Sequence, residues 1–111
     1  MSFFESDVVR AELAEIGELQ EEVYSNVFKF PTMSKEDQQY HVEILERLLD
    51  KQRVLYTRLS LSDDPEAQQM KKQIIDSASM FGLPKGVDLS VMFSQMAQAV
   101  GMMKQQIDNF S

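Results

Sequence analysis

The clearest pattern of apolar residues lies near the C-terminal end of the sequence, between residues 88 and 110. Apolar side chains recur there at alternating steps of four and three residues, at Leu89, Phe93, Met96, Val100, Met103, Ile107 and Phe110. This heptad spacing places all of them on one face of an α-helix. The pattern therefore predicts a helix over residues 88–109, with Asp88 as its N-cap.

Two longer helices are predicted in the N-terminal half of the chain. The first covers residues 3–28, and its apolar face consists of Val9, Leu13, Ile16, Val23, Val27 and Phe30. Gln20 occupies a polar position within that face. Ser2 and Glu5 fit a capping box at the start of this helix, and Ser6 is an alternative N-cap.

The second long helix is predicted over residues 35–59, after Ser34 as its N-cap. Its apolar face is wide, because a second row of side chains lies beside the first. The two rows together consist of Val42, Leu45, Leu48, Leu49, Leu55, Tyr56 and Leu59. Gln52 places a polar side chain within this face as well.

A shorter helix is predicted over residues 65–81, where the sequence DDPE marks its start. Asp64 caps this helix, and Pro65 fits its first position, where the missing N–H costs nothing. Its apolar side consists of Ala67, Met70, Ile74, Ala78 and Phe81. Gly82 and Pro84 then end the helix, since glycine adopts the C-terminal turn and proline prevents continuation.

Four helices joined by short turns predict one all-α domain over residues 1–111, arranged as an antiparallel helical bundle of about four helices. At about 1.5 Å per residue, the two long N-terminal helices each span roughly 38 Å, whereas the third spans only about 25 Å. A short helix cannot cover the apolar faces of two long ones. We therefore expect a second copy of the chain to complete the core, in a homodimer or a higher oligomer.

The charge of the chain is negative and unevenly distributed. The 111 residues carry a formal net charge of -7, and residues 1–30 hold seven acidic and two basic side chains. Such a field repels phosphate groups, so we expect neither nucleic acid nor a membrane surface as a partner. The chain has no cysteine, which excludes disulfides and thiolate metal sites. The start MSFFESDVV does not fit a signal peptide, and we expect a cytoplasmic, soluble protein.

Candidate catalytic groups are few, and we expect neither an enzyme nor a bound metal or cofactor. His41 is the one histidine, and without partners at the spacing of a zinc site or proton relay it is interpreted as a surface or half-buried helix residue. The segment GLPKG lacks the spacing of a phosphate-binding loop. An acidic strip on the first helix is either a solvated face or a contact for a basic partner. It consists of Glu12, Glu15, Glu18 and Glu22.

Eight apolar residues are predicted to contact another chain. They are Phe3, Phe4, Met92, Phe93, Met96, Val100, Met102 and Met103. The six in the last helix form an apolar face wider than one neighbouring helix covers, and methionine adapts to partners of varied shape. The two phenylalanines pack onto one end of the bundle or across a dimer, or alternatively anchor a different partner.

Three stretches of the sequence together resemble a known group of proteins. They are SFFESDVV at residues 2–9, LLDKQRVLYTRLSLSDDPEAQQM at 48–70 and GLPKGVDLSVMFSQMAQ at 82–98. They are similar to an uncharacterised family of small helical proteins, a domain of unknown function of cyanobacteria and T4-like cyanophages. The opening FFESDVV and the junction RLSLSDD are its most specific parts, and MSKEDQQYHVEILERLLDK with Pro65 resembles the phage versions. The resemblance implies this biological setting and no assigned activity.

Several functions remain open from the sequence. The favoured hypothesis is a non-enzymatic, homo-oligomeric module that binds another protein of the host or the phage. One alternative is a structural part or assembly factor of a virion, which mass spectrometry of purified particles would detect. Another is an acidic regulator of a basic partner, whose association would weaken steeply with salt.

Overall fold

The computed structural model of the chain describes residues 3–80 and 88–109. Its four α-helices are α1, Asp7–Asn26; α2, Lys35–Leu61; α3, Pro65–Met80; and α4, Leu89–Asn109. Two 3-10 segments, Phe3–Glu5 and Val27–Thr32, flank α1. These described residues contain no β-strand, so the prediction of an all-α chain with four helices is confirmed. None of the helices found in this part of the chain combines the length and apolar character needed to cross a membrane.

Polar side chains cap the helices at three of the predicted positions. The Ser34 hydroxyl accepts a hydrogen bond from the backbone N–H of Asp37 at 3.2 Å. Asp88 accepts one from the N–H of Ser90 at 3.0 Å. The third cap is Asp64, which precedes Pro65 at the start of α3. Each cap satisfies a backbone donor that the first turn of a helix leaves without an intrahelical partner.

The first α-helix begins later than the sequence predicts. Residues Phe3–Glu5 form a 3-10 turn, and α1 starts after Ser6, the alternative N-cap, which makes no side-chain capping hydrogen bond. Ser2, the other predicted cap, lies outside the described residues. So do four residues assigned above to helix faces or helix ends: Phe81, Gly82, Pro84 and Phe110.

The central helix is α2, which packs against α1, α3 and α4. Side-chain pairs show that α1 and α2 run antiparallel, because residue numbers rise along one helix as they fall along the other. Glu12 of α1 pairs with Arg58 of α2 at 3.2 Å, and Glu15 pairs with Lys51 further back along α2.

The same ordering shows that α4 runs antiparallel to α2. The Lys104 ammonium lies 2.7 Å from the Glu46 carboxylate. One turn further along α4, Asp108 accepts a hydrogen bond from the Gln39 amide at 3.0 Å. α1 and α4 therefore run in the same direction, and each packs against α2.

The apolar core is divided into two clusters. The larger cluster joins α1, α2 and α3, and its buried members are Val9, Ile16, Leu19, Val23, Ile44, Leu48, Leu55, Leu59 and Ala67. The smaller cluster joins α2 and α4 through the buried side chains of Leu49, Leu89 and Phe93. Ile74 of α3 is half-buried and packs against both clusters. Each side of α2 thus has a core of its own.

Three positions in the first two helices differ from the predicted apolar faces. Val27 was assigned to the face of the first helix but is exposed. The α-helix ends at Asn26, and the following 3-10 segment has about three residues per turn, so its side chains leave the helical face. Leu19 and Ile44 are buried although neither was assigned to a face.

Candidate functional site

The side chains on the apolar face of α4 are buried to different degrees by the neighbouring helices. Phe93 is buried, whereas Met92, Val100 and Met103 are half-buried. Met96 lies at the middle of the predicted face and is still 39% exposed. A heptad position with a neighbour on every side would be buried, so the cover around Met96 is incomplete.

Next to Met96, a groove with a volume of about 430 Å³ lies between α1 and α4. We call it the α1–α4 groove. Its wall on α1 consists of Leu13, Ile16, Gly17 and Gln20, and its wall on α4 of Met92, Phe93 and Met96. Gln52, Leu55, Tyr56 and Leu59 of α2 form its floor, with Met70 and Ile74 of α3 beside them. None of the described residues that line the groove is charged.

Three of the eight predicted contact residues line the groove: Met92, Phe93 and Met96. Val100, Met102 and Met103 are not among its lining residues, and Met102 is 63% exposed. The α1 wall and the α2 floor were not predicted as a contact surface. The polar residues Gln20 and Gln52, each within an apolar helix face, were the sequence signal that could have revealed it, because both line the groove.

Phe3 and Phe4 lie elsewhere, on the larger core cluster. Both are half-buried against that cluster, with their rings edge to face and centroids 5.1 Å apart. The backbone N–H of Phe3 donates a hydrogen bond to the Asp64 carboxylate. This hydrogen bond attaches the start of the chain to the start of α3. Phe3 and Phe4 therefore pack onto one end of the helices within the same chain.

The acidic strip of α1 is largely engaged within the chain. Glu12 and Glu15 form ion pairs with α2. Glu22 accepts a hydrogen bond from the hydroxyl of Tyr40, and this bond and the negative charge raise the pKa of the phenol above its ordinary value of 10.0. Three of the four predicted acids therefore contact α2, and the strip is neither a fully solvated face nor a free acidic surface.

His41 corrects the sequence interpretation, because it is buried, with 6% of its surface exposed. The 3-10 segment after α1 brings the Phe30 ring over it, with ring centroids 5.4 Å apart. Gln38 fixes that segment by donating its side-chain amide to the carbonyl of Phe30 at 2.9 Å. His41 also borders a cavity of about 500 Å³ at the α1–α2 turn, beside Tyr40.

The flank of α4 that faces away from α1 has a different character. A cavity of about 880 Å³ there is lined by charged side chains of α2, including Glu46, Asp50 and Arg53. Nearby, the hydrogen bond from Lys104 to Glu46 raises the pKa of the lysine above its ordinary value of 10.5. Charged side chains of α2 thus lie beside one flank of α4. On the other flank, the described residues that line the groove carry no charge.

The groove offers little for catalysis. Tyr56 is the one titratable side chain among its described lining residues, and it has no acid or base beside it in that set. A base beside a hydroxyl nucleophile is one way in which enzymes activate it, and the described lining does not supply one. Across residues 3–80 and 88–109, no group of three His, Cys, Asp or Glu side chains could hold a metal ion.

A comparison with protein families gives one result. The model of the family described as "Domain of unknown function (DUF1825)" matches residues 1–107. The chain belongs to this family. The match includes all the described residues that line the groove, so the groove is part of the DUF1825 domain.

Neither of two further comparisons gives a relative. No curated protein and no solved structure matches the chain. The DUF1825 description names no activity, so a function for this chain has to be argued from its own residues.

Proposed function

We propose that the chain is a non-enzymatic, homo-oligomeric helical module for protein–protein interaction. The observation that carries the proposal is the α1–α4 groove, whose described lining residues carry no charge and include the exposed Met96. On a chain with a net charge of -7, an apolar surface without charge is costly to leave in water and is typical of a contact with another protein.

The groove also lies on apolar faces of α1 and α2 that α3 is too short to cover completely. α1 and α2 present long apolar faces, but α3 is short and leaves part of them without cover. Leu13 and Tyr56, which line the groove on these faces, are half-buried, and Met96 on the α4 wall is exposed. A further helix from another chain would bury these side chains, and burial of apolar surface stabilises by about 25 cal/mol per Å².

The ion pairs of Glu12 and Glu15 weigh against an acidic regulator of a basic partner. Both carboxylates already have basic partners on α2. A basic protein binding this strip would have to compete with Arg58 and Lys51. The apolar groove, rather than the acidic strip, is therefore the surface on which the proposed interaction rests.

The proposed setting is the cytoplasm of a cyanobacterium or of a cell infected by a T4-like cyanophage. Its support is the resemblance of FFESDVV and RLSLSDD to that group. Proximity labelling in such a cell would identify proteins beside the chain. Stoichiometric amounts of the chain in purified phage particles would instead support a structural part of the virion.

The test of oligomerisation is the mass of the particle in solution. Light scattering after gel filtration should give a multiple of the 12.8 kDa chain mass at micromolar concentration. The mass should be insensitive to moderate salt, because the described residues that line the groove carry no charge to screen. A mass of one chain under these conditions would refute the proposal.

A further inference from the structure

The α1–α4 groove lies between the two clusters of the apolar core. Leu55 and Leu59, on its floor, belong to the larger cluster, and Phe93, on its α4 wall, belongs to the smaller one. An apolar helix in the groove would touch both clusters and join them into one continuous core. The position of the groove thus indicates an occupant that completes the fold.

Gly17, at the middle of the α1 wall, indicates how closely the occupant approaches. A Cβ atom added to Gly17 would meet no described atom within 4 Å. Glycine weakens a helix relative to alanine, and packing within this chain does not require its small size. A helix from another chain that packs closely against α1 would require it, since the missing side chain lets two backbones approach.

The wall on α1 continues beyond the groove. Tyr24 follows Gln20 by four residues and extends the same side of the helix. Its side chain is 69% exposed. From Leu13 to Tyr24 this side is about 17 Å long at the rise of an α-helix. Phe28, which is also strongly exposed, lies in the 3-10 segment after the end of α1.

The charge distribution favours a second copy of the chain as the occupant. Residues 89–103 of α4 contain no charged side chain, and this stretch is about 21 Å long, enough to cover the α1 wall. Two acidic chains would repel each other through most of their surfaces. Contact between two charge-free surfaces avoids that repulsion.

We infer that two copies of the chain dock reciprocally, each placing α4 in the α1–α4 groove of the other. This inference rests on the proposed function and specifies its surface. A two-fold axis would run across the paired α4 helices, so that each Met96 side chain lies within the interface and each α4 packs against Gly17 of the other copy. Such an interface is isologous and closes at two copies.

The first test uses the two helical glycines as a matched pair. Gly17→Glu and Gly17→Gln place a side chain in the groove. Gly101→Glu makes the same change within residues 89–103 of α4, but Gly101 follows Met96 by five residues, about 1.4 turns, and so lies on the side of the helix away from Met96 and does not line the groove. A Cβ atom at Gly101 also meets no described atom within 4 Å, so all three variants should fold. Circular dichroism of dilute samples should show unchanged helix content.

Both Gly17 variants should have the mass of one chain by light scattering, while the wild type and Gly101→Glu have twice the 12.8 kDa chain mass. Loss of the dimer in Gly17→Gln shows that size, rather than added charge, causes the dissociation. A dimer that survives both Gly17 changes but is lost in Gly101→Glu would place the contact on the other flank of α4 and overturn the inference, while the proposed function would stand. A monomeric wild type would overturn both.

The second test detects the contact directly, and it is possible because the sequence has no cysteine. Gln20→Cys protein, in which the α1 wall keeps Gly17, is mixed with Met96→Cys protein and treated with a short thiol-reactive cross-linker. A cross-linked product of the two variants should form, and Gln20→Cys mixed with Gly101→Cys should give much less. Equal yields from both mixtures would count against α4 in the groove. A monomer that carries an apolar small molecule in native mass spectrometry would also overturn the inference.

Discussion

Asp64 connects two distant parts of the chain through one carboxylate. One oxygen accepts a hydrogen bond from the N–H of Glu66 at 2.9 Å and caps α3, and the other accepts from the N–H of Phe3. The motifs FFESDVV and RLSLSDD thus meet at this residue, although Phe3 and Asp64 are 61 positions apart in the sequence. The most specific motifs of the sequence therefore contribute hydrogen bonds that stabilise the fold.

The replacement Asp64→Ala should lower the free energy of unfolding by about 1–2 kcal/mol, because it removes the cap of α3 and leaves Phe3 without its acceptor. The matched control is Asp63→Ala, since Asp63 is the exposed neighbour and its loss should change stability by less than about 0.5 kcal/mol. Urea unfolding followed by circular dichroism measures both. Equal effects of the two replacements would show that the double acceptor role contributes nothing.

At the scale of elements, α2 holds the chain together, since α1, α3 and α4 all pack on it. Its C-terminal turn shows how sharply burial changes from one residue to the next. Leu59 is completely buried beneath α1 and α3, whereas Leu61 is 81% exposed. The two leucines share the same helix and the same chemistry, and they differ only in what lies against them.

Leu59→Ala should lower the free energy of unfolding by about 2–5 kcal/mol, because it removes apolar contacts and leaves a cavity. Leu61→Ala should change it by less than about 0.5 kcal/mol. Both are measured by urea unfolding at one protein concentration. Similar losses for the two variants would mean that the end of α2 is not part of the core.

The hydrogen bond between α1 and α2 at Tyr40 gives a prediction on pH. Glu22 raises the pKa of the Tyr40 phenol above 10.0, so the folded chain holds this proton more tightly than the unfolded chain. The resulting stabilisation is complete below pH 10 and is lost as the pH rises through the raised pKa.

In a Glu22→Gln variant, the pKa of Tyr40 should fall back toward 10.0, because the negative charge is gone. NMR titration of the labelled tyrosine ring measures it. Glu21→Gln is the control, since Glu21 is not among the groups that shift this pKa, and it should leave the titration of Tyr40 unchanged. A Tyr40 titration that Glu22→Gln does not move would contradict the contact.

At the scale of the whole molecule, the division of the core into two clusters decides where another chain can add stability. Met96 borders the gap between the clusters and is partly open to solvent in the single chain. A charge placed there would be tolerated by the monomer. It would be buried without a partner in the proposed dimer, at a cost of several kcal/mol.

Met96→Asp should therefore unfold at the same temperature as the wild type in dilute solution, where both are single chains. The wild type should gain thermal stability as its concentration rises, because association favours the folded state, and the variant should not. Calorimetry over a range of concentrations measures this difference. A variant that is already unfolded when dilute would show that Met96 belongs to the core of the single chain.

The sequence by itself determined the elements of this protein. Caps such as Ser34 and Asp64, and turn residues such as Pro65, act within a few residues of themselves. Their hydrogen bonds and backbone preferences therefore locate helix starts without knowledge of the rest of the fold. The apolar spacing of α4 likewise identified the face that packs on α2, since helical periodicity is a local property.

Only the tertiary structure decided which neighbour covers each face. Phe93 and Met96 occupy the two core positions, a and d, of one heptad, yet Phe93 is buried and Met96 is exposed. The buried His41 depends in the same way on Phe30 across a turn. The periodicity of the sequence shows which side of a helix each side chain lies on. Whether that side chain is buried depends on which distant part of the chain packs against that side. For that reason the sequence could mark Gln20 and Gln52 as polar positions within apolar faces, whereas the groove that they line was defined only after α1 and α4 were placed on α2.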